Sequence, residues 1–388
     1  MLLRRPNLLF LQCRERPAFQ LEDLFDGGTG VVPCDEWLAL APHLGREVVL
    51  EPGDVDVFAA VTPSLARSHA ELSARFDAER IDRLVGAGLL IGDHPEHQGL
   101  RERERVLAEV DWWGPAALAQ VFGRWQDVDV AADAPRLGGD RWQEMIAARG
   151  APPPETVELR PASSWQALPA PAMTAVDQLL QSRSTCRNFD RRALPLADLA
   201  TVLHRVFGAQ AAQTLAPQAV ALKKNSPSGG GLHPVEAFVL AQRVEGLPPG
   251  LYHYQCVAHA LEPMQGLDAE AIAPMASELV AGQAWFADAP VLVLMAARFQ
   301  RNFWKYRQHA KAWRVIQLDA GHLSQTFQLA ATDLGHGAFV TAAINDACAE
   351  RLFELDGLST GAIAVCGFGR RAADTTTVEF DPLGKAVR

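Results

Sequence analysis

Ile316, Ala320, Leu323, Phe327, Ala330 and Leu334 recur at spacings of 4, 3, 4, 3 and 4. That rhythm puts all six on one face of a helix over 315–334. An apolar stripe of this length needs another layer to cover it, and Gly335 supplies the stop. Around it, strand-like runs at 237–241, 290–296, 338–343 and 362–366 alternate with helical stretches. Strands and helices around one long core helix make the second half an α+β domain.

The chain has 388 residues, of which 48% are hydrophobic and 21% charged, so it can bury a sizeable core. Its length suggests two domains. The clearest change of composition lies between Arg149 and Met173, where Pro152, Pro153, Pro154, Pro161, Pro169 and Pro171 exclude a regular helix. The expected division is an N-terminal domain over 1–150, a proline-rich linker over 151–172 and the α+β domain over 173–388. In the first half, 7–13 and 47–50 read as short strands and 64–87 as one or two helices. Phe76, Ile81, Leu84 and Val85 share an apolar face there, and Gly86-Ala87-Gly88 leads into extended Leu89-Leu90-Ile91. That order of helix, glycine turn and short strand belongs to small winged-helix units and equally to an ordinary helix-to-strand corner. The stretch after Arg371 is irregular, of the kind that wraps over a neighbour.

A net charge of −10 and a pI near 5.6 leave no basic surplus for nucleic acid or an anionic membrane. Six scattered cysteines form no CxxC pair and no disulfide scaffold, which fits a reduced, cytoplasmic protein. The apolar run after Arg4 and Arg5 is too short for a signal core, and no run reaches the roughly 18 residues of a spanning helix. His94 and His97, beside Asp93 and Glu96, have no second cluster to complete a coordination shell, so they read as a solvated loop and no metal is expected.

Three distant segments carry candidate chemistry. Ser182-Arg183-Ser184-Thr185-Cys186-Arg187-Asn188-Phe189 offers guanidinium forks and hydroxyls suited to phosphate oxygens, though such clusters also open solvated helices. Asn225-Ser226-Pro227-Ser228-Gly229-Gly230-Gly231-Leu232-His233-Pro234 leads into a strand. Its glycines permit unusual torsions or close approach to a flat ligand, or make a plain turn. Lys305 and Tyr306 sit in a basic, aromatic run between Arg298 and Lys311 that reads as a surface helix or as a proton acceptor and donor. Cys186 is most simply a small packing residue.

Taken in order, SRSTCR, PSGGGLHPVEAF, GLYHYQCVAHAL, WKY, DAGHLSQ and LGHGAF closely resemble the SagB-type dehydrogenases of the nitroreductase superfamily. The resemblance covers about 174–371. It implies an α+β, nitroreductase-like FMN-binding fold, an intertwined homodimer and FMN as the cofactor. By position, Arg183, Ser184, Thr185 and Arg187 correspond to the flavin phosphate and ribityl motif, and Pro227, Ser228, Gly229 and Gly230 to the loop facing the ring. Gly335 and Gly337 match a glycine pair near the flavin, and Arg370 or Arg371 completes the phosphate site. Lys305 and Tyr306 match a catalytic Lys-Tyr pair. The first motif reads Arg-Ser-Thr where the superfamily more often has Arg-Arg-Ser, which reshapes one phosphate contact.

The activity implied is FMN-dependent dehydrogenation of a ribosomally made peptide, of the azoline-to-azole kind. Its expected partners are a peptide substrate, captured through a leader segment by the N-terminal domain, and other enzymes of a peptide-modifying complex. Two alternatives share the fold: an NAD(P)H-dependent nitro- or quinone reductase, and a non-catalytic scaffold of such a complex. The Lys-Tyr pair and the large N-terminal half argue against a minimal reductase.

Overall fold

The computed structural model describes residues 1–133 and 142–387. It divides into two compact units. The first comprises Met1–Arg124, Arg298–Arg314 and Asp356–Thr360, and the second Trp125–Ala297, Val315–Leu355 and Gly361–Arg388.

The first unit holds an antiparallel meander of Phe10–Phe19, Val31–Ala41 and Arg46–Leu50, and a small sheet in which Leu2–Arg4 lies between Arg67–Ser68 and Ile91–Gly92. Between the two outer strands of the small sheet run helices His69–Phe76 and Ala78–Gly86. Ser68 caps the first of them through a reciprocal box with Glu71. Leu3, Val57, Leu72, Ile81, Leu84, Leu89 and Leu90 form the core, with Phe76 and Val85 packed against it. The chain order from Asp54 onward is therefore helix, strand, helix, helix, strand. The strand over 7–13 expected from sequence is found as Phe10–Phe19, and the long Val31–Ala41 was not foreseen.

Neither unit is a single run of chain. Trp112 explains why the first takes in residues from far downstream: its ring packs on Phe299 and Phe303 at 4.6 and 4.7 Å, and its Nε1 donates to the Leu358 carbonyl at 2.9 Å. Trp125 begins the second unit by donating its backbone N–H to Asp346, and Asn345 binds both the N–H and the carbonyl of Val128.

The second unit is built on a six-stranded sheet in the order Ala260–Gly266, Gly250–Gln255, Val235–Ala241, Val291–Arg298, Thr360–Gly369, Gly337–Thr341. Val291–Arg298 is buried along all but its last residue, as a central strand covered on both faces must be. All four strand-like runs expected in this half belong to this sheet, and the outer hairpin Gly250–Gly266 completes it. The long helix spans Ala310–Asp333, beginning five residues before the expected start. Its stripe is buried from Ile316 to Ala330, Leu334 is half-buried, and Gly335 ends it at φ +79°. This is the α+β arrangement of a sheet around a long core helix expected for the second half.

Candidate functional site

The helix Ala175–Ser182 starts on a reciprocal Thr174/Asp177 cap and gives way at Arg183 to extended chain. From there the arginine-serine motif runs beside two later segments. Cys186 N–H donates to the Ala338 carbonyl and Asp190 N–H to the Arg370 carbonyl, both at 2.9 Å. The approach is close enough to need Gly337, where a Cβ would stand 2.6 Å from Cys186 Cβ and 2.9 Å from Arg371 Cγ. Gly337 thus acts by letting segments around Cys186 and Arg371 come close, while Gly335 serves as the helix stop. Cys186 is wholly buried, and burial pushes its thiol up to about 12, so it packs here and does not ionise near neutral pH.

This juxtaposition gathers hydrogen-bond donors around the Glu379 carboxylate. The Arg371 guanidinium donates Nη2–H to the Ser184 carbonyl at 2.6 Å and pairs through Nη1 with Glu379, while its buried Nε has no partner. The backbone N–H groups of Arg187 and Asn188 both donate to Oε1 of Glu379. Ser184 Oγ donates to the Phe380 carbonyl at 3.2 Å. Arg183 reaches the other way, to Gln328 Oε1 on the long helix at 2.9 Å, and the Arg187 guanidinium lies 5.8 Å from the Phe286 ring centroid. Of the two C-terminal arginines, Arg371 joins this cluster. Arg370 is exposed and contributes its carbonyl.

The glycine loop is fixed from below by the same long helix. Asp319, 3% exposed, accepts from Ser228 Oγ at 2.5 Å and from Gly229 N–H at 3.1 Å. Burial raises its carboxyl above the usual range, against the pull of those two hydrogen bonds. Ser228 Oγ in turn accepts from His233 N–H at 2.9 Å, and Ser226 bonds Thr326 at 2.7 Å. Gly230 and Gly231 sit at φ +67° and +68°, a conformation that favours glycine. At Gly229 the constraint is space, because a Cβ would come within 2.0 Å of Val315 Cγ1. Pro227, Ser228 and Asp319 line a small cavity with Lys224, His233, Val235 and Leu323.

Lys305 and Tyr306 belong to the first unit. They end the short helix Phe299–Lys305, whose inner face (Phe299, Asn302, Phe303) is fully buried. Lys305 itself is exposed, with Nζ 5.5 Å from the Tyr306 ring centroid. Three residues with clear structural duties were not singled out from sequence: Asn188, Asp319 and Glu379. Asp319 lies in the motif DAGHLSQ, three residues after Ile316 and four before Leu323, and so at the edge of the apolar face. A carboxylate that the helix buries is the signal that could have found it.

The Nitroreductase family model matches residues 180–370. Among curated relatives, the chain is 29% identical over 136 residues to the trifolitoxin-processing protein TfxB of Rhizobium leguminosarum bv. trifolii, covering 35% of this chain and 36% of that protein. It is 26% identical over 171 residues to the nitroreductase homologue MJ1384 of Methanocaldococcus jannaschii, covering 44% and 80%. The chain thus spans only about a third of the first relative's length. Among solved structures, a chain of the E. coli microcin synthetase McbBCD complex with truncated pro-MccB17 bound superposes with a TM-score of 0.50 at 20% identity, over 70% of this chain and 94% of that one. The family match over residues 180–370 and the six-stranded α+β sheet agree: this half of the chain has a nitroreductase-like fold.

Proposed function

We propose that the chain is an FMN-dependent oxidoreductase that reduces small nitro or quinone compounds at the expense of NAD(P)H. The family match supports this reading most directly, and the single observation that carries it is the anion-binding cluster of Arg371, Ser184 and the N–H groups of Arg187 and Asn188. Its donors suit a phosphate, and the buried Arg371 Nε still lacks an acceptor. When bound, FMN supplies the hydride and electron chemistry.

The chain's own residues have distinct tasks in this reading. Arg371, Ser184 and the two amides hold the phosphate. Arg183, held by Gln328, and Thr185 lie along the same strand-like path. The loop over 227–230 takes the flat ring, and Asp319 keeps that loop in one conformation through Ser228 and Gly229. The test is NADPH oxidation by the FMN-reconstituted protein with menadione as acceptor. Rapid turnover supports a reductase. Bound FMN with no NAD(P)H oxidation rejects that activity.

A second reading follows from the likeness to the trifolitoxin-processing protein and from the Lys305-Tyr306 pair. Here the substrate is a ribosomally made peptide, dehydrogenated at an azoline ring in the SagB manner by a homodimer within a peptide-modifying complex. Lys305 removes the acidic Cα proton and Tyr306 orients it. The helix-strand-helix-helix-strand order of the first unit supports capture of a leader peptide by strand addition. Loss of azoline oxidation in Lys305→Ala with FMN still bound is the expected result, and full activity of that variant rejects the role.

A further inference from the structure

The described residues after Arg371 form no helix or sheet, yet they are held at several points. Asn188, 6% exposed, accepts through Oδ1 from the N–H groups of Thr376 and Thr377 at 2.8 and 2.9 Å and donates through Nδ2 to the Thr377 carbonyl at 2.8 Å. The next residues engage the anion cluster itself, through Glu379 on Arg371 and on the amides of Arg187 and Asn188, and through the Phe380 carbonyl on Ser184 Oγ. Further on, Lys385 Nζ reaches Gln181 Oε1. Every fixing contact named here is polar. Val378 and Phe380 are 90% and 81% exposed, so the segment gains little from apolar burial.

We propose that this C-terminal segment is a built-in competitor of the cofactor phosphate, with the Glu379 carboxylate standing in the anion site until the phosphate displaces it. The proposal rests on the flavin reading above and concerns how that site is regulated. A carboxylate satisfies the two amides and one edge of Arg371, but leaves Arg371 Nε unpaired. A phosphate, with a further oxygen and a larger charge, can take the same donors and the orphan one as well. Because the segment and the phosphate use the same groups, closure lowers apparent affinity by the fraction of molecules left open. Since Val378 and Phe380 are not buried, release costs only the polar contacts.

The experiment compares FMN and riboflavin binding by fluorescence titration in three full-fold proteins: the natural chain, Glu379→Ala, and the chain truncated after Asp374. Hydrogen exchange at the Thr376 and Thr377 amides is followed alongside, with inorganic phosphate and then with FMN. The expected result is FMN binding about tenfold tighter in both variants, riboflavin binding unchanged, and faster exchange at both amides on adding either phosphate probe to the natural chain. Equal or weaker FMN binding by Glu379→Ala, or amides that stay protected with FMN bound, overturns the competition while leaving the flavin reading intact. Failure of all three proteins to bind FMN overturns the flavin reading and the competition with it.

Discussion

The arginine motif and the Lys305-Tyr306 helix are both short polar stretches, yet the structure uses them in opposite ways. Around Arg183 to Asn188 the polar groups themselves are buried, and they bind one another across gaps of nearly two hundred residues. Around Lys305 the buried part is aromatic, with Trp112 against Phe299, Phe303 and Trp313, and the charges stay outside. A cell of buried donors costs stability unless an acceptor fills it, so it implies a ligand or a stand-in. An exposed lysine on an apolar helix implies neither. The first region therefore carries the functional argument on geometry alone, whereas the second depends on resemblance.

The sharpest break between the two regions should come from what each loses on truncation. Trp112→Ala removes a ring that is 4% exposed and the Nε1–H bond to Leu358, and is expected to cost about 3–5 kcal/mol in denaturant unfolding. A cost under about 1 kcal/mol would mean that the aromatic cluster does not anchor the first unit. Arg371→Ala loses the pairing with Glu379 and the bond to the Ser184 carbonyl and should cost about 2 kcal/mol. It should also weaken FMN on the order of 100-fold with riboflavin little affected, and equal loss for both flavins would place Arg371 away from a phosphate.

Smaller effects refine the contrast. The carboxyl of Asp319 is raised by burial, so the folded chain binds its proton more tightly than the unfolded chain does. That favours the fold while the group is protonated, and the advantage is lost as pH rises through the folded value. Relative to Asp319→Asn, the natural chain should accordingly gain stability as pH falls from neutral toward the acid range, as chemical unfolding at a series of pH values would show. A constant difference would mean that the site titrates normally. Smallest is Lys305→Ala, expected to change stability by no more than about 0.5 kcal/mol and to leave FMN binding as it is, because the side chain is exposed.

How far the chain could be read in advance follows the same line. The stripe on the long helix and the four apolar strands are legible because burial imposes a period on sequence, and each is found in place. Gly250–Gln255 lies in the motif GLYHYQCVAHAL, which ends at Leu261, and neither it nor Ala260–Gly266 reads as a strand from sequence, since the outer one is largely exposed and shows little patterning. The arginine motif and glycine loop could be named, and Arg370 could not be told from Arg371, because neighbours on an extended chain point opposite ways and only the pairing with Phe189 decides which faces the motif. Asp319, Asn188 and Glu379 were not foreseen. Their roles come from contacts 90 to 192 residues away; the helix period marks Asp319 as a carboxylate beside the apolar stripe, but no local pattern names its partners or singles out Asn188 and Glu379.

The central claim is that the second unit carries FMN on the Arg371 anion site. The most direct measurement is the absorbance spectrum of the purified chain with and without added FMN, followed by mass identification of what is released on denaturation. Flavin bands in the near ultraviolet and the blue, with FMN released, are the predicted result. A protein that stays colourless after reconstitution would contradict the account and leave the fold serving as a scaffold.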